Sequence, residues 1–321
     1  MHMALTESGV EGQIVAAVEI NTVANTVYSH NFPNTVLLNR NIQSLTANYI
    51  NKLCVDAIFM SPPCQPFTRN GLKGDDADPR SCSFSHILQI LPDLNVKYML
   101  IENVKGFETS VMRDKLITAL TNCHFTFQEF VLSPTQIGVS NTRHRYYCLA
   151  KKRPLEFNFT TGKLMETLPC QTETLTLAPL AAIVETNVDS SKYRVPANIL
   201  LKRAMILDIC NPLSKRSCCF TKAYGKYVEG TGSVFTSKSQ QEIDEIYKEL
   251  PNYVTDEDRY VQCIEKLQLR FFSPTEVARL MCFPNYFTFP HTTTDSQRYR
   301  LLGNSINVKL VSKLVQILVG E

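Results

Sequence analysis

The chain up to about Lys151 alternates short apolar runs with amphipathic segments. This alternation is typical of a parallel sheet covered by helices, so we predict an α/β fold. The apolar runs predict strands at residues 14–20, 56–60, 98–101, 127–132 and 146–150. Helices are predicted at residues 22–31 and 113–122.

A second, smaller domain is predicted at residues 152–269, where the periodicity weakens and Thr, Ser and Pro accumulate. Residues 270–321 resume the sequence pattern of the first domain, residues 1–151. Ser273 followed by Pro274 predicts the start of a helix. Residues 307–319 carry apolar side chains at helical spacing and are predicted to pack on the first sheet. The smaller domain is therefore an insertion.

Composition narrows the class of protein only slightly. The chain has 321 residues and a net charge of +3, which neither demands nor excludes a nucleic-acid partner. It has 11 cysteines without a Cys-x-x-Cys pair, a secretory leader or a run long enough to span a bilayer. We therefore expect reduced thiols in the cytoplasm, or also in the nucleus, and no structural metal.

One cysteine lies in an unusual setting. Cys64 stands between prolines in residues 62–66, directly behind the apolar run of residues 55–60. Because proline fixes φ and removes backbone donors, this segment is predicted as a stiff loop at the carboxyl end of a strand. Ligands bind at that position in open α/β sheets. A packed core cysteine is the ordinary alternative, but the prolines favour a nucleophile.

Four motifs follow one another along the chain, each at a strand or loop edge. They are Pro62-Pro63-Cys64-Gln65, Glu102-Asn103-Val104, Asn141-Thr142-Arg143-His144-Arg145 and Leu302-Gly303-Asn304-Ser305. Together they resemble the cytosine-5 methyltransferase family. The resemblance covers nearly the whole chain and implies a Rossmann-like, S-adenosylmethionine-dependent methyltransferase sheet with a smaller inserted target-recognition domain.

The resemblance implies a role for each catalytic side chain. Cys64 would add to C6 of cytosine, because C5 is a poor nucleophile until a thiolate has added. Glu102 would contact N3 and the exocyclic amine, and Arg145 the O2 side of the base. Arg143 would support the loop or contact a phosphate. On the bare sequence, Glu102 could also be a surface carboxylate and both arginines a solvated strand edge.

The methyl donor needs a pocket of its own. Glu19 ends a predicted strand, where an acid accepts ribose hydroxyls in nucleotide-binding α/β folds, and the family pattern agrees. The resemblance also implies that Ile42 and Gln43 border the adenine, although Ile42 equally fits a plain core position. Ser61 would line the pocket, and Ser305 would reach the methionine end.

The resemblance further predicts a strand and a glycine-rich turn just ahead of Met1. Without them we expect two neighbouring strands with unpaired backbone groups, and weak donor binding by the chain as given. A truncated start is our preferred explanation. An inactive tRNA-binding relic is the alternative.

The inserted domain contains the residues whose resemblance to the family indicates the kind of substrate. Residues 216–224 and 229–233 are similar to the target-recognition segment of the family branch that methylates cytosine 38 in the anticodon loop of aspartate tRNA. Lys222 is then expected to contact a phosphate and Tyr224 to stack on a base. A DNA cytosine-5 methyltransferase would share every catalytic residue and is the alternative. Since only the recognition segment argues against it, DNA is kept as a secondary partner. A zinc deaminase would need a second cysteine two residues after Cys64 and a His-x-Glu motif, and the sequence has neither.

Overall fold

A computed structural model of the chain describes residues 1–63, 82–169 and 175–320. The helices are α1 (His2–Ser8), α2 (Thr22–Asn31), α3 (Ala47–Lys52), α4 (Cys82–Ile90), α5 (Val111–Asn122), α6 (Ala197–Arg203), α7 (Gln240–Glu249), α8 (Glu257–Glu265), α9 (Pro274–Leu280), α10 (Asp295–Gly303) and α11 (Val308–Val319). The strands are β1 (Ala16–Glu19), β2 (Val36–Asn39), β3 (Ala57–Met60), β4 (Tyr98–Val104), β5 (Phe125–Leu132), β6 (Arg145–Lys152), β7 (Ile209–Cys210), β8 (Val234–Phe235) and β9 (Arg270–Phe271).

The chain divides into two compact units. Unit 1 comprises residues 1–133, 144–174 and 308–321, and unit 2 comprises residues 134–143 and 175–307. The predicted boundaries at 152 and 270 differ from this division. Residues after β6 stay with unit 1 because Met165 pairs with β5, where its carbonyl accepts from the Val131 amide at 2.9 Å. Residues 270–307 belong to unit 2 because β9 pairs with β8.

Unit 1 contains all five strands predicted from the sequence, together with β2, which the sequence reading missed. Strands β3, β4, β6 and β5 form one sheet in that order, and β1 pairs in parallel with β2. Strands β3 and β4 are parallel, whereas β6 is antiparallel to both β4 and β5. Among the described residues, β1 and β3 each have a single strand neighbour.

The four-stranded sheet is covered on both faces, as predicted. Met99 and Ile101 of β4 are fully buried in one cluster with Leu116 and Leu120 of α5. Helix α11 packs against β4 and β6, which confirms the packing predicted for the last helix. Asn21 caps α2 by accepting from the Ala24 amide at 3.0 Å, so this helix begins where the sequence predicts.

Unit 2 has a small sheet in the order β7-β8-β9 and an aromatic core. Phe220, Tyr224, Phe272 and Tyr299 are all buried there. Ser273 caps α9 with a reciprocal capping box, and Pro274 occupies the first turn, as predicted. In the part of the chain that the structure describes, no helix is long and apolar enough to cross a membrane.

Candidate active site

Glu102 and Arg145, predicted as catalytic from separate motifs, lie together on one face of the sheet. In the antiparallel pairing of β4 with β6, Glu102 is opposite Tyr147 and Val104 is opposite Arg145. This register makes Glu102 and Arg145 diagonal neighbours, within reach of long side chains. Nε of Arg145 lies 3.4 Å from Oε1 of Glu102, and their side chains are 16% and 10% exposed. The register of β4 against β6 therefore places the Glu102 and Arg145 side chains next to each other.

The surroundings of this pair are positively charged. The Arg145 guanidinium also donates to the His144 carbonyl at 2.7 Å, which fixes its direction. Burial and the nearby charges of Lys105 and Arg145 lower the pKa of His144. Arg145 and Glu102 thus lie side by side in partly buried surroundings, where a charge interaction is stronger than in water.

Arg143 has a different environment from Arg145, two residues away. Its side chain is buried in unit 2, where it donates to the carbonyls of Phe220 and Gly303, each at 3.0 Å, and to that of Ser305. A guanidinium directed at three carbonyls is not exposed to a phosphate. Of the two predicted roles, the structure therefore supports loop positioning and contradicts the phosphate contact.

The segments that Arg143 joins also contact each other directly. Asn141 donates to Ser217 Oγ at 3.0 Å and to the Cys218 carbonyl at 2.9 Å. At the end of α10, a Cβ on Gly303 would overlap the backbone of Thr221 and Lys222, so glycine is required for this close approach. Ser305 Oγ donates to Leu301 at 2.8 Å, and its predicted contact with the methyl donor stays a prediction.

Glu19 ends β1 with a carboxylate held by the backbone. Its Oε1 accepts from the amides of Ile20 and Asn21, each at 2.7 Å, which uses only one of its two oxygens. Asn25 of α2 donates to the Glu19 carbonyl at 3.2 Å and to Asn39 of β2 at 3.1 Å. A fixed, exposed carboxylate at a strand end fits a ligand that presents hydroxyl donors.

The remaining residues predicted for the donor also follow strand ends. Ile42 and Gln43 lie in the short helical turn Ile42–Ser44 after β2. Ile42 is half-buried and packs against the core, so both of its predicted interpretations stay open, whereas Gln43 is exposed. Ser61 is exposed directly after β3. Cys64 lies outside the described residues, and its place in the site stays a prediction.

Tyr224 does not fit the role of a base-stacking residue. Its ring is 3% exposed, and its hydroxyl donates to the Ser233 carbonyl at 2.6 Å and accepts from the Phe272 amide at 2.8 Å. Burial raises its pKa well above the usual value. The prediction for Tyr224 is wrong because this side chain anchors the recognition segment in the core. Lys222, by contrast, is exposed, as a phosphate contact requires.

The exposed aromatic residue of the recognition segment is Tyr227, which the sequence reading missed. Its side chain is 59% exposed, whereas Tyr224, three residues earlier, is buried. The two tyrosines flank Gly225, and only the close packing around that glycine separates their roles. Within the described ranges, no group of three His, Cys, Asp or Glu residues is placed to hold a metal ion.

The sheet, the strand-end carboxylates and the paired Glu102 and Arg145 define a methyltransferase of the S-adenosylmethionine-dependent fold. Residues 1–319 match the family described as C-5 cytosine-specific DNA methylase. The chain belongs to this family, which confirms the resemblance found in the sequence.

Relatives with known names cover the chain almost completely. A Spodoptera frugiperda protein named tRNA (cytosine(38)-C(5))-methyltransferase is 50% identical over 99% of this chain and 95% of its own length. A Dictyostelium discoideum protein named DNA (cytosine-5)-methyltransferase is 36% identical over 100% of this chain and 91% of its own length. A crystal structure of a Spodoptera frugiperda Dnmt2 variant superimposes with a TM-score of 0.90 at 48% identity, covering 99% of this chain and 95% of that one.

Proposed function

We propose that this protein transfers a methyl group from S-adenosylmethionine to C5 of a cytosine in tRNA. The target is cytosine 38 in the anticodon loop of aspartate tRNA. The buried pair of Glu102 and Arg145, 3.4 Å apart, carries the chemical part of the proposal, because it offers a carboxyl and a guanidinium side by side. Support for the substrate comes from the relative that is 50% identical and is named for cytosine 38 of tRNA.

Cys64 is the proposed nucleophile. Its thiolate adds to C6 of the cytosine, so that an S–C6 bond forms and the electrons of the C5–C6 double bond become available at C5. C5 then attacks the methyl carbon, and the bond between that carbon and the sulfonium sulfur would break, so that the donor would leave as a neutral thioether. Loss of the C5 proton to a water molecule and breakage of the S–C6 bond, whose electron pair leaves with the sulfur, restore the C5–C6 double bond and release the thiolate.

Glu102 and Arg145 stabilise the base as Cys64 adds. The Glu102 carboxyl group donates a proton at N3 of the cytosine, which offsets the charge that develops in the ring. Such general acid assistance is typically worth about 10²–10⁴-fold in rate. Arg145 keeps its planar donor fork beside Glu102 and offers it to the O2 edge of the base.

The residues at the strand ends fit the methyl donor. Glu19 would hold the ribose hydroxyls with the carboxylate oxygen that the backbone amides leave available. Ile42 and Gln43 would border the adenine, and Ser61 and Ser305 would line the rest of the pocket. The donor supplies an electrophilic methyl group bound to a sulfonium. The chain's own part is to orient that group toward C5 and to exclude water.

The proposal is tested by methyl transfer to aspartate tRNA with the full-length protein. Glu102→Gln keeps the shape of the side chain but removes its acid, so we expect a loss of about 10²–10⁴-fold in the single-turnover rate. Glu11→Gln changes an exposed carboxylate of unit 1 and serves as the matched control. A tRNA in which cytosine 38 is replaced should not be methylated. Equal methylation of that tRNA would refute the assignment of the target.

Duplex DNA is the second candidate substrate, since the Dictyostelium discoideum relative is named for DNA. The catalytic residues do not separate the two substrates. Extruding a base from a duplex costs more than extruding one from a loop, where bases are already unstacked. Competition between aspartate tRNA and a DNA duplex for one methylation reaction separates them, and a preference for DNA would overturn the proposed substrate.

A further inference from the structure

Tyr227 presents an aromatic ring on the surface of unit 2. Its side chain is 59% exposed, and the Nζ atom of Lys226 lies 5.8 Å from the centre of the ring. Lys222, in the same turn, is also exposed. Large aromatic side chains are usually buried, so an exposed one with a cation beside it points to a ligand that has a flat face and negative charge.

The turn that carries Tyr227 is held in one conformation. The Thr221 amide donates to the Thr231 carbonyl at 2.9 Å, and the Tyr227 amide donates to Ala223 at 3.1 Å. The Thr231 hydroxyl donates to the Tyr227 carbonyl at 2.5 Å. Because both ends of the turn and its tip are bonded, the Tyr227 backbone loses little conformational freedom on binding.

Contacts in the core of unit 2 hold the turn that carries Tyr227 in place. Tyr224 inserts its ring edge-on against Phe220 and Tyr299, at centroid distances of 4.8 and 5.1 Å. Gly225 has a φ of +76°, and a Cβ at this position would lie 2.9 Å from the Tyr299 ring. The chain therefore turns sharply after Tyr224, which leaves Tyr227 outside while Tyr224 is inside.

The turn also lies against the last motif of the candidate site. The backbone of Thr221 and Lys222 contacts Gly303, and Arg143 binds the carbonyls of Gly303 and Ser305. Ser305 is the residue proposed to reach the methyl donor. Within unit 2, the exposed ring and the two lysines thus belong to a turn that is packed against the segment of Gly303 and Ser305.

We propose that Tyr227, Lys222 and Lys226 form a preformed platform on which an unpaired base of the tRNA substrate stacks. The inference rests on the proposed function and names the residues that select an RNA loop. An aromatic face accepts any base that is unstacked, whereas the bases of a DNA duplex stay stacked on each other. The lysines contact the phosphates on either side of the base.

Tyr227→Ala tests the platform in the full-length protein, with binding to aspartate tRNA measured by fluorescence anisotropy. The loss of one stacked base should weaken tRNA binding by about 10- to 100-fold. Tyr227→Phe keeps the ring and should bind like the parent. Tyr286→Ala removes a ring that is 57% exposed elsewhere in unit 2 and should leave the affinity unchanged. The melting temperature and S-adenosylmethionine binding should be the same in all variants.

Two further measurements separate the platform from the proposed function. Lys222→Ala and Lys226→Ala should each reduce the salt dependence of tRNA binding, because each removes a phosphate contact. Parental tRNA affinity in Tyr227→Ala, together with methylation of tRNA by the parent, would refute the platform alone. Methylation of duplex DNA but not of tRNA by the parent would refute the proposed function and the platform with it.

Discussion

At the scale of single residues, the buried carboxylate of Glu129 is bound by two other side chains. Glu129 on β5 is 2% exposed and accepts from Arg113 Nε at 2.8 Å and from the Tyr146 hydroxyl at 2.8 Å. Burial raises the pKa of Tyr146, and the Glu129 carboxylate adds to this effect. This triad lies directly behind Arg145, since Tyr146 is its neighbour in β6.

Removal of Arg113 should therefore destabilise the protein strongly. Arg113→Met leaves the Glu129 carboxylate buried without its cation, which typically costs about 3–5 kcal/mol of unfolding free energy. Equilibrium unfolding in urea measures the loss. Lys97→Met breaks the exposed ion pair with Asp56 and is the control, for which we expect little change. If the double variant Arg113→Met, Glu129→Gln were no more stable than Arg113→Met, the buried charge would not be the cause.

Tyr224 and Tyr227 show where residue types alone are ambiguous. Both tyrosines belong to a segment whose pattern indicates recognition, and nothing in their immediate sequence says which one is buried. The difference arises from the positive φ of Gly225 and from contacts with Tyr299 and Phe272, which are distant along the chain. Glu102 and Arg145 were identified through the family motifs, and the register of β4 against β6 places them close together, while their catalytic roles stay predictions.

At the scale of elements, two helix starts could be predicted because their capping chemistry is local. Ser273 and Asn21 cap helices at the predicted positions. Strand β2 was missed because its apolar run, Val36 to Leu38, is too short to show a period. The ends of β4 and β6 extend beyond the prediction because cross-strand pairing continues to Val104 opposite Arg145 and to Lys151 opposite Tyr98.

The capping box of α7 should give unfolding a specific dependence on pH. The Ser239 amide, together with Lys238 and the Ser239 hydroxyl, lowers the pKa of Glu242 from 4.5 to about 2. Because the folded pKa lies below the unfolded one, the stabilisation is present above pH 4.5 and is lost as the pH falls toward 2. The difference in unfolding free energy between parent and Glu242→Gln should therefore shrink between pH 6 and pH 3. A difference that is constant over this range would contradict the cap.

At the scale of the whole molecule, the thiols of the described residues differ widely in exposure. Cys54 and Cys82 are exposed, whereas Cys148 and Cys210 are fully buried. Burial raises the pKa of Cys210 to about 11 and also raises that of Cys148. Since the thiolate is the reactive form, the buried cysteines are protected twice, by lack of access and by protonation.

Maleimide labelling followed by peptide mass spectrometry measures this division on the native protein at pH 7. Cys54 and Cys82 should be modified in the native protein, and Cys148 and Cys210 only after unfolding in denaturant. Labelling of Cys148 in the native protein at the rate of Cys54 would show that the sheet around β6 opens far more readily than its burial implies.

The boundaries of the two units could not be predicted, because they depend on partners that are far away in the sequence. Strand β9 has only two residues and joins unit 2 by pairing with β8. Met165 stays with unit 1 through a bridge to β5. Local composition changes near residue 152, but local composition does not record which strand edge a segment will pair with.

The close approach of Gly303 to the turn after Phe220 limits how the recognition segment can be exchanged between proteins. Residues 216–233 are not a portable loop, since their carbonyls are held by Arg143 and their backbone contacts Gly303. A graft of this segment into a related scaffold would carry its specificity only if the host supplied an arginine and a glycine at the two matching places. The smallest exchangeable module is therefore assembled from three separate stretches of chain.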